Sequence, residues 1–358
     1  MGFFPEKADV VEAADHVLAD EFGLISPEWL SPDVDFLRRC RTADTADPAV
    51  DLTAGITTGR RTVLYDHAWI DASTGSILLP RRRQTVLVRG GDVNWNAGSI
   101  RFGRQRLRVQ GLAMPLLNTT NYFHLLLENG LRVIDLLESG HLADAPLTLI
   151  NLEDRGRVDG ALYKGIRTLY PNVSVERVPE GVLVMPDQTL CHFPRDPYWE
   201  WPPVDTAAAK RLLNVFEAVY GEIPTEKSDD RLYVTRGSAK LRQPDNGKEL
   251  RERLEARGFQ GFTASDDNHP EQISRFASAS VIVSIHGAGL TNLLFCQPGT
   301  RVIEIFPANF LKSPYWWLAR RLGLAYTPVI GGPGNYAQHF AVNMDALDNG
   351  LQQAGVTS

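Results

Sequence analysis

A chain of 358 residues, 43% hydrophobic and 22% charged, is long enough for two domains and a sizeable buried core. Its net charge of −6 at pH 7 excludes a basic footprint for nucleic acid and a polybasic patch for a membrane surface. Its three cysteines, Cys40, Cys191 and Cys296, are odd in number and far apart, which excludes a disulfide scaffold or zinc knuckle and fits a reducing compartment.

The opening M-G-F-F-P-E-K-A-D-V has no basic flank leading into a long apolar core, so it is not read as a signal peptide. No run reaches transmembrane length, and a cytoplasmic protein is expected. Residues 10–22 allow a helix, and D-T-A-D-P-A-V-D-L-T-A-G reads as loop. From Arg61 the pattern turns to short strands: T-V-L-Y, S-I-L-L-P, T-V-L-V-R and R-L-R-V-Q-G.

Residues 118–137, N-T-T-N-Y-F-H-L-L-L-E-N-G-L-R-V-I-D-L-L, predict a helix with Thr120 or Asn121 as N-cap. Leu126, Leu127, Val133, Ile134 and Leu137 fall on one face, and His124, Glu128 and Asp135 on the other. His124 and Glu128 are four apart and therefore neighbours. A carboxylate that orients an imidazole makes a general base near neutral pH. The alternative is a solvated helix face that carries a His and a Glu. Two ligands without a nearby third do not make a metal site.

Strands, a helix over residues 158–169 and further strands follow. Residues 194–204, P-R-D-P-Y-W-E-W-P-P-V, suit neither helix nor central strand and are read as the connection between domains. Residues 205–220 read as a helix. In R-L-Y-V-T-R-G-S-A-K-L-R a strand runs into Arg236, Lys240 and Arg242, cations that suit a diphosphate; the bland reading is an exposed basic loop.

The stretch from residue 281 to 307 is V-I-V-S-I-H-G-A-G-L-T-N-L-L-F-C-Q-P-G-T-R-V-I-E-I-F-P. It predicts a buried strand Val281–Ile285, a glycine turn at His286, Gly287, Ala288 and Gly289, a short helix over residues 290–296, and a second strand Arg301–Phe306. Glycines let backbone approach a ligand, and a helix amino terminus offers N–H groups to phosphate. A tight turn whose glycines serve packing alone is the competing reading.

Taken together, H-G-A-G-L-T-N-L-L-F, P-G-T and V-I-E-I-F-P closely resemble the signature of glycosyltransferase family 61. N-Y-F-H-L-L-L-E resembles the family's N-Y-x-H-W-L-L-E/D segment, with His124 and Glu128 at the matching positions and Leu125 where Trp is frequent. R-L-Y-V-T-R-G-S-A-K-L-R resembles the family's R-L-Y-I-S-R-x-x-A-x-x-R, and Asn246 and Glu249-Leu250 match its continuation. The resemblance covers about residues 115–330.

What the resemblance implies is an α/β, GT-B-like architecture of two Rossmann-like domains facing a cleft. Residues 1–195 would form the acceptor-side domain and 205–335 the nucleotide-sugar domain, with 336–358 packing back on the amino-terminal domain. It further implies an inverting, metal-independent transfer from a nucleoside-diphosphate sugar, a UDP-sugar first among them. The hydroxyl acceptor could be a glycan, a polysaccharide precursor, a small molecule or a protein. No separate cofactor and no nucleic-acid partner are expected. Glu128 with His124 would be the base. Arg236, Arg242 and the N–H groups of Gly287 to Leu290, with Thr291 beside them, would hold the diphosphate. His286 would touch phosphate or sugar, or else be a structural histidine. Glu304 would accept from ribose hydroxyls, or else pair with Arg301. Two other classes stay open: a non-catalytic nucleotide-sugar-binding or regulatory protein, and a nucleotide-sugar epimerase on this scaffold.

Overall fold

A computed structural model describes residues 6–8, 14–25, 33–42, 56–72, 75–82, 84–86, 105–116, 119–142, 144–152, 157–194 and 206–356. The expected loop after residue 42 and the proline-rich connection beyond Pro194 lie outside the described residues. The chain divides into two units, one drawn from residues 1–24, 57–203 and 210–219, the other from 25–56, 204–209 and 220–358.

The first unit is built on a mixed sheet. Its strands are β1 (Glu6–Ala8), β2 (His16–Ile25), β3 (Ile56–Asp66), β4 (Trp69–Asp71), β5 (Ile77–Leu79), β6 (Gln84–Val86), β7 (Arg106–Leu116), β8 (Leu147–Leu152), β9 (Val173–Val178) and β10 (Leu183–Pro194). The order is β1-β6-β5-β4-β10-β7-β8-β9, with β3 also on β10 and β2 on β3. Strands β10, β7, β8 and β9 are mutually parallel. The crossovers from β7 to β8 and from β8 to β9 carry helices, as parallel pairing usually requires, whereas β9 runs into β10 through residues 179–182 alone. In the helix Arg157–Leu169, Val158, Leu162 and Ile166 stand one turn apart and are all buried. Chain order β7, β8, β9, β10 becomes spatial order β9-β8-β7-β10, so connections leave β7 in one direction and return on its other side. That reversal between β7 and β10 is a topological switch point, where the carboxyl ends of strands leave a crevice.

Two local expectations change here. Residues 16–25 form a strand, where helix was allowed, because pairing with β3 overrides local propensity. The two strands expected around Met185 and Leu190 are one strand, β10, whose register against β7 shifts between Pro186 and Gln188; Pro186 has no N–H to give a ladder.

The second unit is a five-stranded parallel sheet: β11 (Arg231–Thr235), β12 (Phe259–Thr263), β13 (Val281–Ile285), β14 (Arg301–Phe306) and β15 (Ala325–Ile330). The order is β12-β11-β13-β14-β15. All five residues of β13 are buried, as a strand covered on both faces must be. The order reverses between β11 and β13, a second switch point. Helices Gly247–Glu255, His269–Ser278, Pro314–Leu322 and Met344–Gln353 cover the sheet.

Two segments expected with the amino-terminal domain spend their apolar residues on this second unit. Helix Val34–Thr42 packs Phe36, Leu37 and Cys40 against Phe306, Leu311 and Trp316, and Trp316 Nε1–H donates to Asp33 at 2.9 Å. Val342, Leu347, Leu351 and Val356 join the core of Val283, Ile303 and Val329. The last residues thus complete this sheet's own core, where they were expected to pack back on the amino-terminal domain. All three cysteines are buried. Among the described residues no helix is long and apolar enough to cross a membrane.

Candidate functional site

In the first unit the informative helix starts just beyond the carboxyl end of β7. Asn121 caps it: its Oδ1 accepts from Phe123 N at 3.0 Å, and its carbonyl accepts from Leu125 N at 2.8 Å. The turns His124–Gly130 are π-helical, and Leu131–Glu138 is α-helical. Such widened turns are rare and concentrate at functional sites. Buried Asn129 fills the widening: its Nδ2 donates to the His124 carbonyl at 2.7 Å. Arg132 then donates to Asn129 Oδ1 at 3.1 Å and to the Pro115 carbonyl, in β7, at 3.0 Å.

On this frame His124 Nδ1 stands 2.9 Å from Glu128 Oε2. Their side chains are 24% and 22% exposed, enough for a ligand to reach both. The expected apolar face holds for Leu126, Leu127, Val133 and Ile134, while Leu136 takes the buried place expected of half-buried Leu137. Asp135 does not join the acid/base pair. It lies 2.8 Å from Nε2 of buried His192, whose Nδ1 lies 2.8 Å from Thr62 Oγ1, its cross-strand partner. That Thr–His–Asp chain ties the helix to the sheet. It was not singled out from sequence, because its members are 130 residues apart.

In the second unit Arg236 follows β11 and the glycine turn follows β13, so both stand at the switch point. Arg236 Nη1 donates to the His286 carbonyl at 3.4 Å and Nη2 to the Leu241 carbonyl at 2.9 Å. Arg242 Nε donates to the same His286 carbonyl at 2.9 Å. Two guanidinium groups thus converge on one carbonyl, and among the described residues neither has a carboxylate within ion-pair distance. Burial, and then Arg242 beside it, push the Arg236 pKa down to about 10; burial lowers that of Arg242 too. Arg236 Nε is buried without a hydrogen-bond partner. An anion at this point would relieve both the repulsion and the unmet donor.

The short helix expected over residues 290–296 is a 3₁₀ helix that starts two residues earlier, Ala288–Phe295. Leu290 and Thr291 are buried, and Thr291 Oγ1 faces Tyr315 OH at 3.4 Å. Their side chains serve the core, and the Leu290 N–H, expected to be offered to a ligand, donates to the Gly287 carbonyl at 3.0 Å. Gly287 is needed for space: a Cβ there would fall on Arg236 Nη1. Since the obstacle is the tip of a flexible side chain, Gly287→Ala is expected to fold with little change in Tm and to displace the guanidinium. A thermal melt beside an anion-binding titration checks this. A large drop in Tm would instead make Gly287 a packing residue.

Glu304 departs from both of its expected alternatives, and His286 is a structural histidine bonded to Glu304 in place of the loop backbone. Glu304 is fully buried, with Oε1 2.5 Å from His286 Nδ1 and Oε2 accepting from Tyr326 OH. Both oxygens are used inside the protein, so Glu304 is not presented to a ribose. Arg301 does not pair with it and donates instead to the Ala354 carbonyl at 2.6 Å. His286 is stacked on Phe306 at 5.2 Å and flanked by Phe310 and Tyr315. Burial lowers its pKa, Glu304 pulls the other way, and the two arginines add to the lowering. A neutral His286 donates from Nδ1 to Glu304, which turns Nε2 into an acceptor at the turn.

The basic loop is held from a distance. Arg242 N donates to Ala337 O at 3.0 Å, Asp245 N to Phe340 O at 2.8 Å, and Asn246 exchanges two bonds with Val342. Arg242 Nη1 donates to Gln338 Oε1 at 2.8 Å. Arg242 and Gln338 both have left-handed backbones, φ 57° and 60°, a conformation unfavourable for such side chains. Arg242 also lies over the Phe310 ring at 5.1 Å. Among the described residues no three His, Cys, Asp or Glu side chains group as a metal site would need.

Comparison with known proteins bears on the same residues. The profile of the family described as Glycosyltransferase 61 matches residues 122–303, which takes in all three motifs almost whole. A 71-residue stretch is 35% identical to beta-1,2-xylosyltransferase RCN11 of Oryza sativa subsp. japonica, over 20% of this chain and 13% of that protein. A 56-residue stretch is 36% identical to a beta-1,2-xylosyltransferase of Arabidopsis thaliana, over 16% of this chain and 10% of that one. The chain therefore spans only a small part of the length of either curated relative.

Proposed function

Because this chain belongs to the glycosyltransferase 61 family, we propose that it moves a sugar from a nucleoside-diphosphate sugar, a UDP-sugar foremost, to a hydroxyl acceptor. The observation that carries this reading is the pair Arg236 and Arg242, two partly buried cations on one carbonyl at a switch point, without a carboxylate partner. A diphosphate supplies the missing charge, and guanidinium groups bind it with two donors each. The relatives are named for xylosyl transfer, so xylose is the first donor sugar to try.

The chemistry divides between two sets of residues. Glu128, directly or through His124, takes the proton as the acceptor oxygen attacks the anomeric carbon. The bond from that carbon to the phosphate oxygen breaks, and the diphosphate leaves with the electron pair. Arg236, Arg242 and the N–H groups at Gly287 to Gly289 meet the charge that develops on it, while the Leu290 N–H is spent on the Gly287 carbonyl. Glu304 acts one step removed, by fixing the tautomer of His286. The GT-B class, inversion at the anomeric carbon and independence from metal belong to the same proposal.

Calorimetric titration with UDP tests it. Parent protein is expected to bind UDP equally in EDTA and without it. Arg236→Ala should weaken binding by about 1.5–3 kcal/mol, the range for a lost bond to a charged group. A variant that binds as tightly as the parent would make Arg236 a loop residue that merely ties His286 to Leu241.

A further inference from the structure

Gly261 is out of place by propensity. It is the middle residue of F-Q-G-F-T, strand β12, at the edge of the parallel sheet. Glycine weakens a strand interior, and where it occurs another group often approaches the backbone closely. Its φ is not in the left-handed region, so no backbone conformation requires it. A Cβ there would meet only Thr235 Cγ2, at the ordinary contact distance of 3.7 Å. The position is thus left open without being crowded.

The open space belongs to a groove of about 470 Å³, within the usual range of small-molecule sites. One wall is a stripe of the helix Gly247–Glu255, where Gly247, Arg251 and Glu255 follow at successive turns. The floor is one face of two strands: Tyr233 and Thr235 from β11, Gly261 and Thr263 from β12. Thr235 Oγ1 and Thr263 Oγ1 are 2.7 Å apart. One hydroxyl donates to the other, which leaves the second hydrogen and the remaining lone pairs for a third group. Arg236 lines the groove's upper end and also binds the His286 carbonyl. The groove and the arginine turn therefore share one residue.

We propose that this groove takes the nucleoside of the donor, with the base lying flat on the backbone of Gly261 and the ribose hydroxyls at the Thr235–Thr263 pair. This inference rests on the diphosphate reading of Arg236 and Arg242 and adds a site for the rest of the nucleotide. Apart from Arg236, which the turn shares, the slot has a bare glycine floor, hydroxyls, one cation and one carboxylate, and so suits a flat, polar, uncharged ring better than a second anion. Arg251 and Glu255 offer a donor and an acceptor to the base edge.

Gly261→Val tests the proposal without threatening the fold. Valine favours strands, so Tm should be unchanged or raised. The added side chain fills the groove and leaves the arginine turn alone. UDP affinity is expected to fall about 10- to 100-fold, the effect of a badly sized group in a binding site. Inorganic pyrophosphate, which needs only the arginines, should bind as it does to the parent. A variant that binds both UDP and pyrophosphate like the parent overturns the proposal. Loss of both together also overturns it, because the effect would then lie at the turn. A parent that binds neither removes the diphosphate reading, and this one with it.

Discussion

Glu128→Gln is expected to cut turnover by roughly 10²–10⁴, the usual contribution of a general base, while UDP affinity stays the same. The amide keeps the size and the contact with His124 but cannot take a proton. Donor binding is assigned to the second unit, which the substitution does not touch. His124→Ala gives the complementary measurement. If it is the more damaging of the two, His124 is the base and Glu128 its orienting partner, held 2.9 Å away. If neither slows transfer in a folded protein, the pair belongs to a half-exposed helix face and the base lies elsewhere. Single-turnover rates separate these outcomes better than steady-state rates, since product release would mask a slow chemical step.

Acid is expected to cost this protein about 3 kcal/mol of stability through one residue, His269. It is buried, 1% exposed, and burial pushes its pKa from 6.5 down to about 4. Its Nδ1 lies 3.0 Å from Tyr220 OH, which suits a neutral ring accepting from the phenol. Between pH 6.5 and 4 the unfolded chain binds a proton that the folded chain does not, so stability falls as pH falls through that window. At 1.36 kcal/mol per pKa unit the full effect is about 3 kcal/mol. His269→Gln removes the titration. Urea denaturation from pH 4 to 7 should then show a shallower acid limb, with the part owed to His286 remaining, since its pKa is lowered too. An unchanged acid limb would mean that His269 is protonated in the folded state.

The parts of this molecule legible from sequence are those whose physics is local. Val281–Ile285 and Arg301–Phe306 are strands with the expected bounds, because short runs dominated by Val and Ile have few other fates in a parallel sheet. The pairing of His124 with Glu128 follows from spacing alone. What escaped is whatever depends on a distant partner. Nothing near Val17 announces that it will lie in a strand, because its ladder partner is β3. The π-helical turns depend on Asn129 reaching the His124 carbonyl, and a plain helical wheel has no place for them. Glu304, expected at a ribose or beside Arg301, has its partners, His286 and Tyr326, on neighbouring elements. The apolar residues of the 336–358 segment likewise find theirs in Val283, Ile303 and Val329, earlier in the chain.

The clasp between the basic loop and residues 337–342 also sets a timetable. Arg242 lies in the middle of a cationic motif, yet its left-handed backbone is held by Ala337 and its guanidinium by Gln338. A ribosome has made every motif residue by the time it passes Pro307, and the loop still has nothing to grip. The nascent protein can therefore carry a finished sheet edge and an unfinished anion site side by side. Competence arrives only with residues 337–342, none of which belongs to any of the motifs.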